Sequence, residues 1–227
     1  MKKLSAVIIA LLVFLSCRFG AYAYECDAFK IDIPEEYVQS ESENGTVIFK
    51  NSKTNSVITL GVSKNKGKAG FVSMPKEELD TLAQNYVSDF LESVNSSSDE
   101  NKVTVSAETK DYGERALGNT KGFYIELALT YKYQNKSEES FSEKIYLLSD
   151  ENNVISVSVL SKTKEDEVTF EKALESFTLS GTALEYSAGQ SGGFDSRFIP
   201  IGIILGLVLG CLVAVLKVNR RESKRYA

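Results

Sequence analysis

Alternating hydrophobic and polar residues recur between residues 27 and 180 and predict a series of β-strands. In the clearest segment, "FYIELALTYKY" at residues 123–133, apolar side chains occupy every second position. A period of two is the pattern of a strand with one buried face. The same pattern predicts strands at residues 29–33, 46–51, 56–62, 102–108, 143–149 and 153–161. The turns "SDENN" (149–153) and "YQNKSEES" (133–140) suit hairpins, so the predicted sheet is antiparallel.

Two further segments have apolar residues at helical spacing. The first covers residues 75–94, with Ser73 as the predicted N-cap and acidic residues in the first turns. The second covers residues 167–177 and presents one apolar stripe, formed by Val168, Phe170, Ala173, Leu174 and Phe177. Each helix needs a sheet face to cover its stripe. The predicted fold class is therefore α+β, an antiparallel sheet sandwiched with helices.

The first 23 residues have the pattern of a secretory signal peptide. Lys2 and Lys3 precede a short apolar run, and "AYA" places small residues before a cut after Ala23. Two alternatives stay open. "FLSC", ending at Cys17, resembles a lipoprotein cleavage site, and the segment could also remain as an uncleaved N-terminal anchor.

Residues 198–216 contain no charged side chain and predict one C-terminal transmembrane helix. A basic tail at residues 217–227 follows it and would lie against lipid through Lys217, Arg220, Arg221, Lys224 and Arg225. The positive-inside rule places this tail in the cytoplasm and the N-terminus outside. The predicted location is the cell membrane, crossed once.

Between these ends, residues 24–180 form the predicted extracytoplasmic domain, and residues 181–197 form a Gly/Ser-rich linker. Residues 24–197 hold 18 basic and 30 acidic side chains, a net charge of −12. Such a domain repels phosphate backbones, which argues against a nucleic-acid partner.

The order of these elements resembles the Mog1/PsbP-like fold. The residues that carry the resemblance are the opening "FKIDIPEEYVQS", the strands "VIFKN" and "VITLGV", the long helix after Pro75, the meander at residues 112–160 and the closing "FEKALESFTL". The family includes PsbP, the Ran-binding Mog1 proteins and many bacterial envelope proteins. The resemblance covers about residues 27–180 and implies a binding or assembly module. It departs from the family pattern at Tyr37, where a Trp is usual, and it supplies no catalytic residue set.

The residue types needed for catalysis and metal binding are scarce. The chain has no His and three Cys, of which Cys26 alone lies in the predicted domain. His-based catalysis and thiolate zinc sites are thereby excluded. The pattern SxxK occurs at residues 63–66, 73–76 and 161–164, about as often as Ser and Lys frequencies give by chance. We assign no catalytic, metal or cofactor-binding residue and expect no enzyme, although carboxylates or a Ser–Lys pair leave an enzyme as a second alternative.

The leading hypothesis is a non-catalytic single-pass membrane protein whose domain binds a protein partner or assembles in an envelope complex. The first alternative is a receptor for a small ligand or polymer. Self-association through the transmembrane helix is expected along a ridge of small residues, namely Gly202, Gly206, Gly210 and Ala214.

Three other features have a structural interpretation and a functional one. The basic loop of Lys64, Lys66 and Lys68 is interpreted as a mobile solvated loop, with contact to wall polymers or lipid phosphates as the alternative. The aromatic stripe Phe123, Tyr131, Tyr133 is interpreted as core, with the lining of a ligand pocket as the alternative. The third feature is a calcium site at "SDENN" or at "SSSDEN" (96–101), and neither spacing matches an EF-hand loop.

Overall fold

The computed structural model describes residues 21–43, 45–98, 103–133 and 137–187. In chain order its elements are β1 (Ala21–Glu25), β2 (Phe29–Pro34), β3 (Tyr37–Glu43), β4 (Thr46–Asn51), β5 (Val57–Lys64), α1 (Lys76–Ser98), β6 (Val103–Leu117), β7 (Thr120–Tyr133), β8 (Glu138–Ser149), β9 (Asn153–Ser161), α2 (Lys164–Glu175) and β10 (Thr178–Leu179). This is the α+β, mostly antiparallel class that the sequence predicts.

Two sheets are present in the described residues. The larger has seven strands in the order β3-β4-β5-β9-β8-β7-β6, and every neighbouring pair is antiparallel. Both of its edge strands carry a register shift, at Gln39/Glu41 in β3 and at Thr109/Asp111 in β6. Bulges of this kind discourage the pairing of edge strands between molecules. The smaller sheet has the order β1-β2-β10.

The seven-stranded sheet separates two hydrophobic cores. On one face, α1 packs Leu82, Tyr86 and Phe90 against alternate residues of β7 such as Ile125 and Leu127. Each of these side chains is nearly inaccessible to solvent, and burying a side chain of this size stabilises the fold by roughly 1.5–3 kcal/mol. We call this side of the sheet the α1 face.

The opposite face, here called the α2 face, is covered by α2 and by the small sheet. Phe170 and Leu174 of α2 pack with Phe29 and Ile31 of β2 in the second core. The helix begins after Thr163, whose hydroxyl accepts a hydrogen bond from the Asp166 amide. This N-cap is the reason that α2 begins at Lys164, three residues before the predicted start.

Several local predictions are corrected by the structure. Ser73 is not the N-cap of α1, because the helix begins at Lys76 and the Ser73 amide donates to Glu114 Oε2 at 2.6 Å. Val168, predicted on the buried stripe of α2, is 51% exposed. Strands β1, β3 and β10 were not predicted.

The first residues of the predicted linker are packed on the domain. The Leu184 amide donates to Ser149 O at 2.9 Å, and the Tyr186 amide donates to Val72 O at 2.7 Å. The domain therefore extends past residue 180 to at least Tyr186, into the predicted linker.

The remaining predictions for the two ends fall outside the described residues. These are the signal peptide up to residue 20, the transmembrane helix at 198–216 with its ridge of Gly202, Gly206, Gly210 and Ala214, and the tail at 217–227. Among the helices of the described ranges, neither α1 nor α2 has the length and apolar character to cross a membrane.

Candidate functional site

A cleft of about 720 Å³ opens at one end of the seven-stranded sheet. We call this end the cleft end; it is where β5 and β8 finish and where β4 and β9 begin. Five chain segments line the cleft, at residues 24–28, 45–47, 62–64, 150–153 and 180–181. Each is a turn or a strand end, so the cleft is formed where the small sheet meets the strand ends of the large sheet.

The β8–β9 turn forms one wall and is closed by Asp150. Its Oδ1 accepts hydrogen bonds from the backbone amides of Asn152 and Asn153, both at 2.7 Å. Both carboxylate oxygens of Asp150 also lie 3.2 Å from Asn153 Nδ2. The hairpin predicted at "SDENN" is confirmed. Since the Asp150 carboxylate is engaged in the turn, a calcium site there receives no support, and the described residues contain no metal-ligand group of three.

Gly45 brings the β3–β4 turn close to β5. Its φ is +79°, and a Cβ there would lie 2.5 Å from Val62 O. The same approach allows the Val62 amide to donate to Gly45 O at 2.8 Å. Any other residue would have to move the turn away from β5, which would widen the cleft at this side.

The cleft interior is mixed in chemistry. Tyr24, Val47 and Val62 supply apolar surface, while Asp27 and Lys64 place opposite charges at its opening. Cys26, a free and partly buried thiol, lies beside them. Of the lining residues, none forms a nucleophile–base hydrogen bond within the described parts of the chain. The arrangement offers hydrogen-bond donors, hydrogen-bond acceptors and both signs of charge, which are the groups that orient a bound molecule.

The three SxxK pairs are not assembled for chemistry. Ser63 Oγ and Ser161 Oγ are buried and lack a hydrogen-bond partner among the described residues. Ser73 is held through its amide by Glu114, and that hydrogen bond is the main reason that the pKa of the Glu114 carboxyl is lowered. No described hydrogen bond joins Ser to Lys in any of the three.

The acidic run at residues 165–167 has a structural role through Asp166. Its carboxylate accepts hydrogen bonds from Thr54 Oγ1 at 3.0 Å and Thr163 Oγ1 at 2.7 Å, and Tyr37 OH lies at 3.5 Å. Tyr37 OH is also 2.8 Å from Ser56 Oγ. This buried polar cluster joins the start of α2 to the β4–β5 turn and to β3. Burial raises the pKa of the Tyr37 hydroxyl, which keeps it neutral.

Two buried charged residues of β8 point to opposite faces of the sheet. Lys144, on the α2 face, pairs with Glu171 at 2.6 Å and Glu167 at 3.3 Å. Burial lowers the pKa of Lys144, but its hydrogen bond to Glu171 and the nearby carboxylates raise it by more. The pairing fastens α2 to the sheet.

Glu143 lies on the α1 face and, unlike Lys144, has no ion-pair partner among the described residues. It is 1% exposed, and within the described residues neither carboxylate oxygen has a hydrogen-bond partner. Its sheet neighbours are Leu127 and Leu160. Burial alone raises the pKa of its carboxyl to about 8. Glu143 does not line the cleft.

The aromatic stripe is core, as predicted. Phe123 is fully buried, and Tyr131 is 4% exposed with its ring packed edge-on against Phe141. Tyr133 is partly buried and packs against the same cluster. None of the three lines the cleft.

Known proteins share this fold at low sequence identity. No protein-family model matches the sequence, and no curated protein matches it. Cyanobacterial PsbP (CyanoP) from Synechocystis sp. PCC 6803 is similar in structure, with a TM-score of 0.45 and 16% identity over 71% of this chain and 92% of that chain. The Saccharomyces cerevisiae Ran-binding protein Mog1p gives a TM-score of 0.42 and 12% identity over 72% of this chain and 97% of that chain.

A structure from Bacteroides thetaiotaomicron VPI-5482 is also similar, with a TM-score of 0.41 and 10% identity over 66% of this chain and 44% of that chain. The matches to PsbP and Mog1p confirm the resemblance to the Mog1/PsbP-like fold. At these identities the likeness concerns the fold alone and extends to no residue of the cleft.

Proposed function

We propose that this chain is a non-catalytic, single-pass membrane protein whose extracytoplasmic domain binds a protein partner at the cleft, within an envelope complex. The observation that carries the proposal is the position of the cleft. Among the last described residues, Leu184 donates to Ser149, the residue that precedes the cleft-lining Asp150, and Tyr186 donates to Val72. A domain tethered through residues 198–216 would therefore hold its cleft near the membrane, where a partner in the same membrane is concentrated.

The composition of the cleft supports a polypeptide occupant. Its opening carries an acidic and a basic side chain, Asp27 and Lys64, beside backbone groups of two turns. Protein interfaces have this mixture of apolar centre and polar rim. Each cleft segment is fixed by backbone hydrogen bonds, such as Cys26 N to Phe29 O and Ser180 N to Ala28 O, both near 3 Å. A preformed surface loses little entropy on binding.

Site-specific photo-crosslinking in native membranes tests this function. A photoreactive residue in place of Asn152 lies in the cleft, and the exposed side chain there makes no described hydrogen bond. The matched control replaces Lys53, an exposed residue of the β4–β5 turn at the opposite end of the sheet. We expect a reproducible protein adduct from position 152 and none from position 53. No adduct, or the same adducts from both positions, would refute binding at the cleft.

A small-ligand or polymer receptor is the second candidate. The cleft volume of about 720 Å³ falls within the usual range for ligand sites, about 300–1,000 Å³. The same crosslinking separates the two functions, because a receptor would yield a small, non-protein mass adduct at position 152. That result would replace the protein-partner proposal with the receptor.

A further inference from the structure

The loop between β5 and α1 is fastened to the domain by Asn65. This side chain donates from Nδ2 to Ala69 O at 3.0 Å and to Asp150 O at 2.9 Å, and its Oδ1 accepts from the Ala69 amide at 2.9 Å. Ser149 Oγ donates to Ala69 O as well. The predicted mobile loop is therefore closed on itself and attached to the β8–β9 turn. We call residues 64–68 the basic loop.

The three lysines of the basic loop are exposed and unneutralised. None of them forms an ion pair with a carboxylate in the described ranges. Lys68 has a φ of +52°, a conformation that favours glycine over lysine. At the tip, a Cβ on Gly67 would meet nothing within 4 Å. The loop thus presents three free cations on a projecting, fixed backbone.

The last described residues lie near this loop, since the Leu184 amide donates to Ser149 O and the Tyr186 amide donates to Val72 O. Ser149 contacts both segments, since its hydroxyl donates to Ala69 O and its carbonyl accepts from the Leu184 amide. Ten residues separate Ser187 from Phe198, where the predicted span begins. Ten residues reach at most about 35 Å when fully extended. The bilayer surface is therefore within reach of the basic loop whenever the chain is anchored through residues 198–216.

We propose that the basic loop binds anionic lipid headgroups of the membrane that anchors the chain, an inference that rests on the proposed anchoring. Exposed carboxylates share the cleft end, among them those of Asp27, Glu151 and Glu185. They are repelled by the same headgroups, so the contact is confined to the projecting loop and orients the domain. Each lysine near an anionic surface adds about fivefold to such binding.

Lysine acetylation of the full chain in lipid nanodiscs tests the proposal. The chain is reconstituted in discs of neutral lipid and in discs containing anionic lipid, and labelling of each lysine is followed by mass spectrometry. We expect Lys66 to be labelled at least about fivefold more slowly in anionic discs, and this protection to vanish near 1 M salt, where the screening length is about 3 Å. Lys53, at the opposite end of the sheet, is the internal control and should be labelled equally in both.

A charge-reversal variant separates lipid contact from an altered fold. In Lys66→Glu, protection of Lys64 and Lys68 should fall towards the neutral-disc value, while Lys53→Glu should leave it unchanged. Equal labelling in neutral and anionic discs would overturn the lipid contact and leave the anchoring intact. Protection in native membranes without protection in anionic discs would also overturn it, in favour of a wall polymer or acidic protein. Recovery of the chain outside the discs would overturn the anchoring itself and the lipid contact with it.

Discussion

Glu143 makes the stability of the domain depend on pH in a direction opposite to that of most carboxylates. Burial raises the pKa of this carboxyl from 4.5 to about 8 in the folded chain, while the unfolded chain keeps a pKa near 4.5. Between these values the folded state holds a proton that the unfolded state releases. Stability is therefore fully present below about pH 4.5 and is lost as pH rises towards 8.

The magnitude follows from the difference in pKa. One unit corresponds to about 1.4 kcal/mol, so a rise from about pH 5 to about pH 8 should lower the free energy of unfolding by about 3 kcal/mol. Leu127 and Leu160 flank Glu143 in the sheet, and no salt bridge to it is found among the described residues, so burial is the cause of this cost. The loss is a large fraction of the 5–15 kcal/mol typical of a folded domain.

The variant Glu143→Gln removes the titrating group and keeps its shape. We expect the free energy of unfolding of the variant to lack this part of the pH dependence. Between about pH 5 and pH 8, the stability of the variant relative to the natural chain should therefore rise by about 3 kcal/mol. Urea unfolding of the full chain in detergent, followed by circular dichroism, measures both. The matched control is Glu138→Gln on the same strand, where Glu138 is exposed and pairs with Lys132. Parallel pH profiles for the natural chain and Glu143→Gln would refute the reasoning.

Three further predictions concern other contacts. Lys144→Ala should lower the free energy of unfolding by about 2 kcal/mol, which is less than for a fully buried pair because Glu171 is half exposed and screened. In the same urea assay, the control Lys162→Ala, at an exposed pair, should lower it by no more than about 0.5 kcal/mol. Tyr22→Ala should lower the free energy of unfolding by about 1 kcal/mol, because the Tyr22 ring contacts Phe49 and its hydroxyl donates to Tyr37 O. If N-terminal sequencing shows a cut after Ala23, Tyr22 is absent from the mature chain, and the substitution has no effect on its stability. Gly206→Ile should weaken self-association in a membrane reporter assay, and an unchanged signal would reduce residues 198–216 to a tether.

The strands that carry regular alternation were predictable because each has one face in a core. β9 was predicted with its observed bounds, and the alternation in β7 correctly assigned Phe123 and Tyr131 to the interior. β3 was missed because it is an edge strand with a bulge and one strongly exposed apolar side chain, Val38, which is 67% exposed. β1 was missed because its small residues match a signal-peptide cleavage pattern equally well.

The candidate site was harder to predict because no local pattern encodes it. The cleft joins five turns or strand ends that are far apart in sequence, and each looks like an ordinary turn on its own. The burial of Glu143, by contrast, was predictable from the sequence pattern. Alternation through Phe141, Ile145 and Leu147 places position 143 on the same buried face. A carboxylate in such an apolar series indicates burial and hence a raised pKa from the amino-acid pattern alone.

Strand β1 has a consequence for how the domain stands on a membrane. It begins beside Pro34 and Tyr37, at the end of the sheet opposite the cleft, whereas Leu184, among the last described residues, is bonded to Ser149 at the cleft end. The eight residues of β5 that connect these two ends correspond to roughly 26 Å. A chain held only by its C-terminal segment would stand upright on its cleft end. A chain also held at its N-terminus, by a retained anchor or by a lipid on Cys17, would have both ends drawn down and would lie on its side, with its cleft open to neighbours in the plane of the membrane.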